Sequence, residues 1–313
     1  MHRLPRIEAN IFAIPFGLAG LGAVWRAAVP ALGVPQGVPD AIFIVTAVVW
    51  LIVVAGYAAQ GPRQPIADAH DAVLGAYLPV WTFPPLILAA ALAPSAFTAA
   101  RVLVIVFLVL MLVFGASIVG EWITADIDID RSHPVYFLPV VAGPLVAADA
   151  LSAVRLHALA EAAFGIGVIS WLVMGSLMWN RLFFRPRLPA ALVPTMAIEF
   201  APPVVAGVAY FALDSGRIDL IARALAGYAV FMALVQLRLV PIYARLTFSA
   251  GFWAFTFSYA TGAQDAMLWL ARTRPPGATG YEIAVLTLIT ALIVAVAGWT
   301  LVAIRRGRYF PAR

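Results

Sequence analysis

A helix needs about 20 mostly apolar residues to cross the hydrocarbon core of a bilayer. The chain contains ten stretches that meet this requirement: 11–28, 41–59, 73–93, 99–120, 134–152, 157–179, 191–213, 219–239, 247–270 and 282–304. The longest connection inside the set, Glu121 to His133, is too short to hold a folded soluble domain. Backbone polar groups in lipid must be satisfied within the protein, and a helix does this locally. The expected fold is therefore all-α and integral to the membrane, one transmembrane domain over residues 1–313, with ten helices arranged as five helical hairpins. Charge agrees: 20 basic and 15 acidic residues are 11% of the chain, against about a quarter in a soluble domain. Such a composition excludes a soluble enzyme, a disordered chain and a nucleic-acid-binding module.

All 20 basic residues are arginine, and they lie mostly at segment ends, where topology places them. With the N-terminus cytoplasmic, 13 arginines fall on the inside and 7 on the outside. Both termini are expected in the cytoplasm. The chain has no cysteine, which removes disulfides, thiolate metal sites and thiol nucleophiles. The histidines are dispersed, and no zinc spacing, phosphate loop or nucleophile elbow occurs. The alternating Asp126, Asp128 and Asp130 are followed by Arg131 and Phe137 where a calcium loop requires glycine and glutamate. No metal, cofactor or catalytic constellation is expected.

Proline separates odd segments from even ones. Pro15 lies in segment one; Pro79, Pro84 and Pro85 in three; Pro139 and Pro144 in five; Pro194, Pro202 and Pro203 in seven. Segments two, four, six, eight and ten contain none. Proline removes a backbone hydrogen bond and clashes with the preceding turn. The freed group is tolerated in a membrane only where protein or a water-lined cavity surrounds it. An inner ring of kinked odd helices around a central pore, enclosed by an outer ring of straight even helices, follows from this. Segment nine departs from the rule, carrying Gly251 and Gly262 but no proline. Helices broken at mid-membrane are also how transporters and channels present half-helix ends to an ion.

Four motifs then occur in order along the chain. Segment one reads Ile11-Phe12-Ala13-Ile14-Pro15-Phe16-Gly17-Leu18-Ala19, and segment five opens Ser132-His133-Pro134-Val135-Tyr136-Phe137-Leu138-Pro139. Segment eight exits through Leu237-Arg238-Leu239-Val240-Pro241, and segment nine begins Trp253-Ala254-Phe255-Thr256-Phe257. Together these resemble the family of the tellurite-resistance protein TehA and the plant slow-type anion channels, also labelled C4-dicarboxylate or malic-acid transporters. The resemblance implies quasi-fivefold symmetry, one anion pore per protomer and a homotrimer. It also implies a gate, a phenylalanine from helix nine, which the motif carries to Phe257. An aromatic ring in a narrow apolar lumen blocks it sterically and dewets it. His133, Arg238 and Trp253 are motif residues with structural roles. Small monovalent anions such as chloride and nitrate are the expected partners, beside the lipid bilayer itself.

A charge at the bilayer centre costs at least ~2.5–3.5 kcal/mol on insertion scales, so Glu199, well inside segment seven, needs an explanation. It is expected to be paired or protonated, or to couple proton movement to a solute. The last option defines the alternative: a proton-coupled C4-dicarboxylate carrier or tellurite exporter. Asp265 and Asp149 are read as interfacial. Of Thr256 and Ser258, only one is expected to face the lumen.

Overall fold

The structure, a computed structural model, describes residues 6–214 and 216–310; Arg3 and Arg313, used in the orientation argument, lie outside them. Among the described residues the chain is helical with no strand. Five long helices run without interruption: α2 (Gly37–Ala58), α5 (Phe97–Thr124), α7 (His157–Phe184), α9 (Leu220–Tyr243) and α11 (Ala278–Arg305). These are the even segments. The odd ones yield α1 (Ala13–Leu32), α4 (Phe83–Leu92), α6 (Gly143–Ala153), α8 (Ala201–Leu213) and α10 (Trp253–Thr273). A short helix that the hydropathy pattern does not announce, α3 (Arg63–Ala69), lies in the connection after α2.

The prolines break their helices rather than kink them. Gly75–Thr82 is a 3-10 helix containing Pro79, and α4 starts directly after it with Pro84 and Pro85 in its first turn. Leu138–Ala142, with Pro139, is π-helical, and α6 follows with Pro144 as its second residue. Val193–Phe200 is again 3-10 and leads into α8, whose second and third residues are Pro202 and Pro203. Pro15 is the third residue of α1, behind the 3-10 turn Ala9–Phe12. In the first turn an amide N–H has no intrahelical acceptor, so proline there forfeits nothing. The proline rule also needs correction in the even set. Helix α2 contains Pro39 in its first turn, and α9 runs on to Tyr243 and so includes Pro241. Both lie at helix ends, where the ladder is least affected.

Nine helices are long and apolar enough to span a membrane among the described residues, one fewer than expected. The tenth, α10, has the length but not the apolarity, because Gln264, Asp265 and several hydroxyls lie along it. Burial alternates. The most apolar windows of segments one, three, five and seven are 67%, 67%, 83% and 72% buried, while those of the even segments lie between 17% and 28%. Contacts follow the same division. Helix α1 packs on α4, α4 on α6, α6 on α8, α8 on α10, and α10 returns to α1. Each of these also packs against the long helix that follows it, in the pairs α1–α2, α4–α5, α6–α7, α8–α9 and α10–α11.

Between helices in lipid, small residues let backbones approach closely enough for dispersion to act. The α1–α10 contact depends on this. A Cβ at Gly17 would lie within 2.7 Å of the Thr256 Cβ, and one at Gly20 would lie 3.0 Å from Ala260 and 3.2 Å from the Phe257 ring. Gly207 likewise accepts Asp265, and Gly262 accepts Phe200. Overpacking a close interface typically costs ~1–3 kcal/mol. Gly17→Ala is expected to lower the thermal midpoint in detergent, whereas Gly120→Ala, where a Cβ meets nothing within 4 Å, is expected to leave it unchanged. Equal midpoints for the two variants would contradict this packing.

Candidate functional site

Three phenylalanines from three of the buried helices meet. Phe257 of α10 lies flat on Phe16 of α1, with ring centroids 3.5 Å apart and planes 18° from parallel. Phe16 meets Phe83, the first residue of α4, edge to face at 5.2 Å. All three rings are buried, at 8%, 3% and 0% exposure. Gly20, one turn beyond Phe16, leaves the space that the Phe257 ring occupies. Phe257 is the residue the resemblance singles out as a gate; Phe16, although it lies within the first motif, and Phe83 are not singled out. A signal for both exists, since each adjoins a proline of the odd-segment pattern, Pro15 and Pro84.

The surroundings of the stack are apolar, and the Thr256 hydroxyl beside it is engaged. Thr256 Oγ1 donates to the Trp253 carbonyl at 2.7 Å and is fully buried. Ser258, two residues on, is also buried, at 3% exposure. Trp253 holds the start of α10 to α11 by donating Nε1–H to Thr300 Oγ1 at 2.9 Å.

Behind the stack lies a polar network that ties α10 and α9 to the broken segment before α8. Gln236 of α9 donates Nε2–H to the Met196 carbonyl at 3.0 Å. Its Oε1 accepts from Tyr243 and from Tyr259, each at 2.9 Å. Met196 belongs to the 3-10 stretch Val193–Phe200, and a buried side chain thus meets one of its carbonyls. Tyr259 is two residues from Phe257, so the helix that carries the ring is anchored by this network.

Glu199 is the last residue but one of that same 3-10 stretch and is 7% exposed, with Oε1 unpartnered. Its polar neighbours are Trp179 on α7 and Tyr228 and Tyr243 on α9. The carboxyl thus faces groups carried by the outer helices α7 and α9. Asp265 departs from its interfacial assignment: it is 5% exposed, packed on Gly207 of α8, with Oδ1 unpartnered. Arg238 is exposed on α9, as a side chain reaching for the membrane surface would be. His133 is fully buried at the start of segment five, and its ring stands edge-on to Tyr136 at 5.3 Å. Burial, with a smaller contribution from Arg181, outweighs the raising influence of the Ala72 backbone and Asp71 and brings its pKa down to about 4.

Comparison with known proteins agrees with the motifs. The family model SLAC1, voltage-dependent anion channel, matches residues 6–305. The tellurite resistance protein TehA homolog of Haemophilus influenzae is 25% identical over 308 residues, covering 97% of this chain and 93% of that protein. The S-type anion channel SLAH1 of Arabidopsis thaliana is 24% identical over 192 residues, 60% of this chain and 49% of that protein.

The burial of His133 sets a pH dependence. An unfolded chain protonates histidine near pH 6.5, but the native state holds His133 neutral until about pH 4. Between these values the unfolded state binds a proton that the native state does not, so stability falls as the pH falls. The thermal midpoint is expected to drop between pH 7 and pH 4.5, and less steeply in His133→Gln. Identical slopes for both proteins would show that the histidine does not carry the effect.

Proposed function

The chain belongs to the SLAC1 family, the voltage-dependent anion channels, and on that premise we propose that it conducts small monovalent anions, chloride and nitrate among them. The path runs through a narrow apolar pore in each protomer, closed by the ring of Phe257. The observation that carries this reading is the Phe257–Phe16–Phe83 stack. It joins three of the five buried helices whose contacts return from α10 to α1, so the rings occlude the space those helices surround. Ten spanning helices in five hairpins, with the buried five as an inner ring, are the arrangement in which the alternating burial and the cyclic contacts both have a cause. A homotrimer in a bacterial inner membrane with both termini cytoplasmic completes the proposal, resting on resemblance and on the arginine distribution.

Anion preference in a lumen without buried arginine needs another source of positive potential. Helices α4, α6 and α8 begin partway along their segments, after 3-10 or π-helical turns. The N-terminal end of an α-helix carries roughly half a positive charge. Three such ends directed into one apolar path favour an anion and offer it no tight site, which suits rapid conduction of weakly hydrated ions. Nothing in this path supplies chemistry for transforming a solute.

A second reading rests on Glu199. A buried carboxyl with an unpartnered oxygen is what a proton-coupled carrier of C4-dicarboxylates, or an exporter of tellurite, would use. The name of the Haemophilus influenzae relative keeps tellurite among the solutes to be tried. Its direction towards α7 and α9 favours the channel, since a coupling acid is expected beside the solute.

Anion current with chloride and nitrate, recorded for the parent protein and for Phe257→Ala in the same bilayer, tests the proposal. A small parental current and a many-fold larger, still anion-selective current in the variant are expected. No current from either folded protein would reject the gated pore. Glu199→Gln is expected to retain the parental current; loss of transport, together with loss of its proton dependence, would favour the coupled carrier.

A further inference from the structure

A groove of about 780 Å³ lies between α1, α2, α4 and α5. It is polar at one end only. Arg26, near the end of α1, and Asp40, in the first turn of α2, stand there together. Arg26 is fixed in place: Nη2 donates to the Ala91 carbonyl at 2.7 Å, and the guanidinium lies 5.6 Å from the centre of the Phe43 ring. That hydrogen bond uses one of five N–H groups. Asp40 is exposed and accepts from Gln36 at 3.1 Å.

From this end the groove descends along an apolar wall. Asp40 and Leu51 both line it and are eleven residues apart on α2, which at 1.5 Å per residue is about 16 Å. One leaflet of a bilayer core is about 15 Å thick. The floor is Pro85 and Ala89 of α4, so the groove passes between two outer helices to reach a buried one. An aromatic wall closes the lower end. Trp50 and Phe107 meet edge to face at 5.8 Å, and the Trp50 indole N–H is satisfied by the Trp81 carbonyl at 2.8 Å.

We propose that this groove is a binding site for a single zwitterionic phospholipid with a primary amine, of the phosphatidylethanolamine class. The phosphate would meet Arg26, the ammonium would meet Asp40, and one acyl chain would run down the apolar wall. A fixed cation beside an exposed carboxylate complements a headgroup that carries both charges. A choline headgroup has no N–H to give Asp40, and a glycerol headgroup has no cation. The depth and the aromatic lower end fit an acyl chain ending near the bilayer midplane. The site does not depend on whether Phe257 gates a pore.

Native mass spectrometry of the delipidated full chain, titrated with phosphatidylethanolamine, phosphatidylcholine and phosphatidylglycerol of identical acyl chains, tests this. One charge-assisted hydrogen bond more is worth about tenfold in affinity, so the parent is expected to retain phosphatidylethanolamine about tenfold better than the other two. Asp40→Asn should bring phosphatidylethanolamine and phosphatidylcholine to the same level. Ala47→Trp, which fills the groove from α2, should abolish retention of this lipid while leaving the thermal midpoint near the parent's. Equal retention of all three lipids by the parent, or undiminished retention by Ala47→Trp, would overturn the proposal. Loss of an oligomer in Ala47→Trp with lipid retention unaltered would do so too, and would assign the groove to a second copy of this chain.

Discussion

A backbone carbonyl released from a helix inside a bilayer has no water to turn to, and the rest of this structure follows from that constraint. Proline at the head of α4, α6 and α8 stops each helix part-way across, leaving 3-10 or π-helical turns before it. Such turns have poorer hydrogen-bond geometry and persist where surrounding protein supports them. Gln236 supplies that support to Met196 from the neighbouring outer helix. Each of the five buried helices packs against the uninterrupted, lipid-compatible helix that follows it, which supplies such support. The break points then become the positions where a path, and positive helix ends, can exist.

The same logic explains how much was legible in the sequence. Proline position separated buried segments from exposed ones before any fold was considered, because proline reports a backbone requirement. It misread the detail: first-turn prolines end a 3-10 stretch and start an α-helix, and two even helices tolerate proline at their ends. Hydropathy marked ten segments, of which nine are apolar enough to span among the described residues; the weakest is α10, where Gln264 and Asp265 interrupt the apolar run. That helix is nevertheless among the buried ones, since a helix wrapped in protein need not be apolar.

Side-chain partnerships were the least visible. Phe257 stood out by motif, but Phe16 and Phe83 are separated from it by most of the chain, and only the closure of α10 onto α1 brings the three together. Asp265 looked interfacial by its distance from the helix end, yet Gly207 on α8 makes room for it inside. Glu199 is buried, and its direction towards Trp179 depends on the rotation of a 3-10 turn. Sequence spacing assumes 3.6 residues per turn, so it fails where the helix does.

The central claim is that the buried helices surround a path which the Phe257 ring interrupts. The chain has no cysteine, so single cysteines can be read without background. Introduced in turn at Leu145, Val146, Ala147 and Ala148, one full turn of α6 that is buried throughout, at least one must face that path. A water-soluble anionic thiol reagent should modify this position from one side of the membrane in the parent and from both sides when Phe257 is alanine. The same one-sided pattern in both backgrounds, or no modification at any of the four positions, would contradict the account.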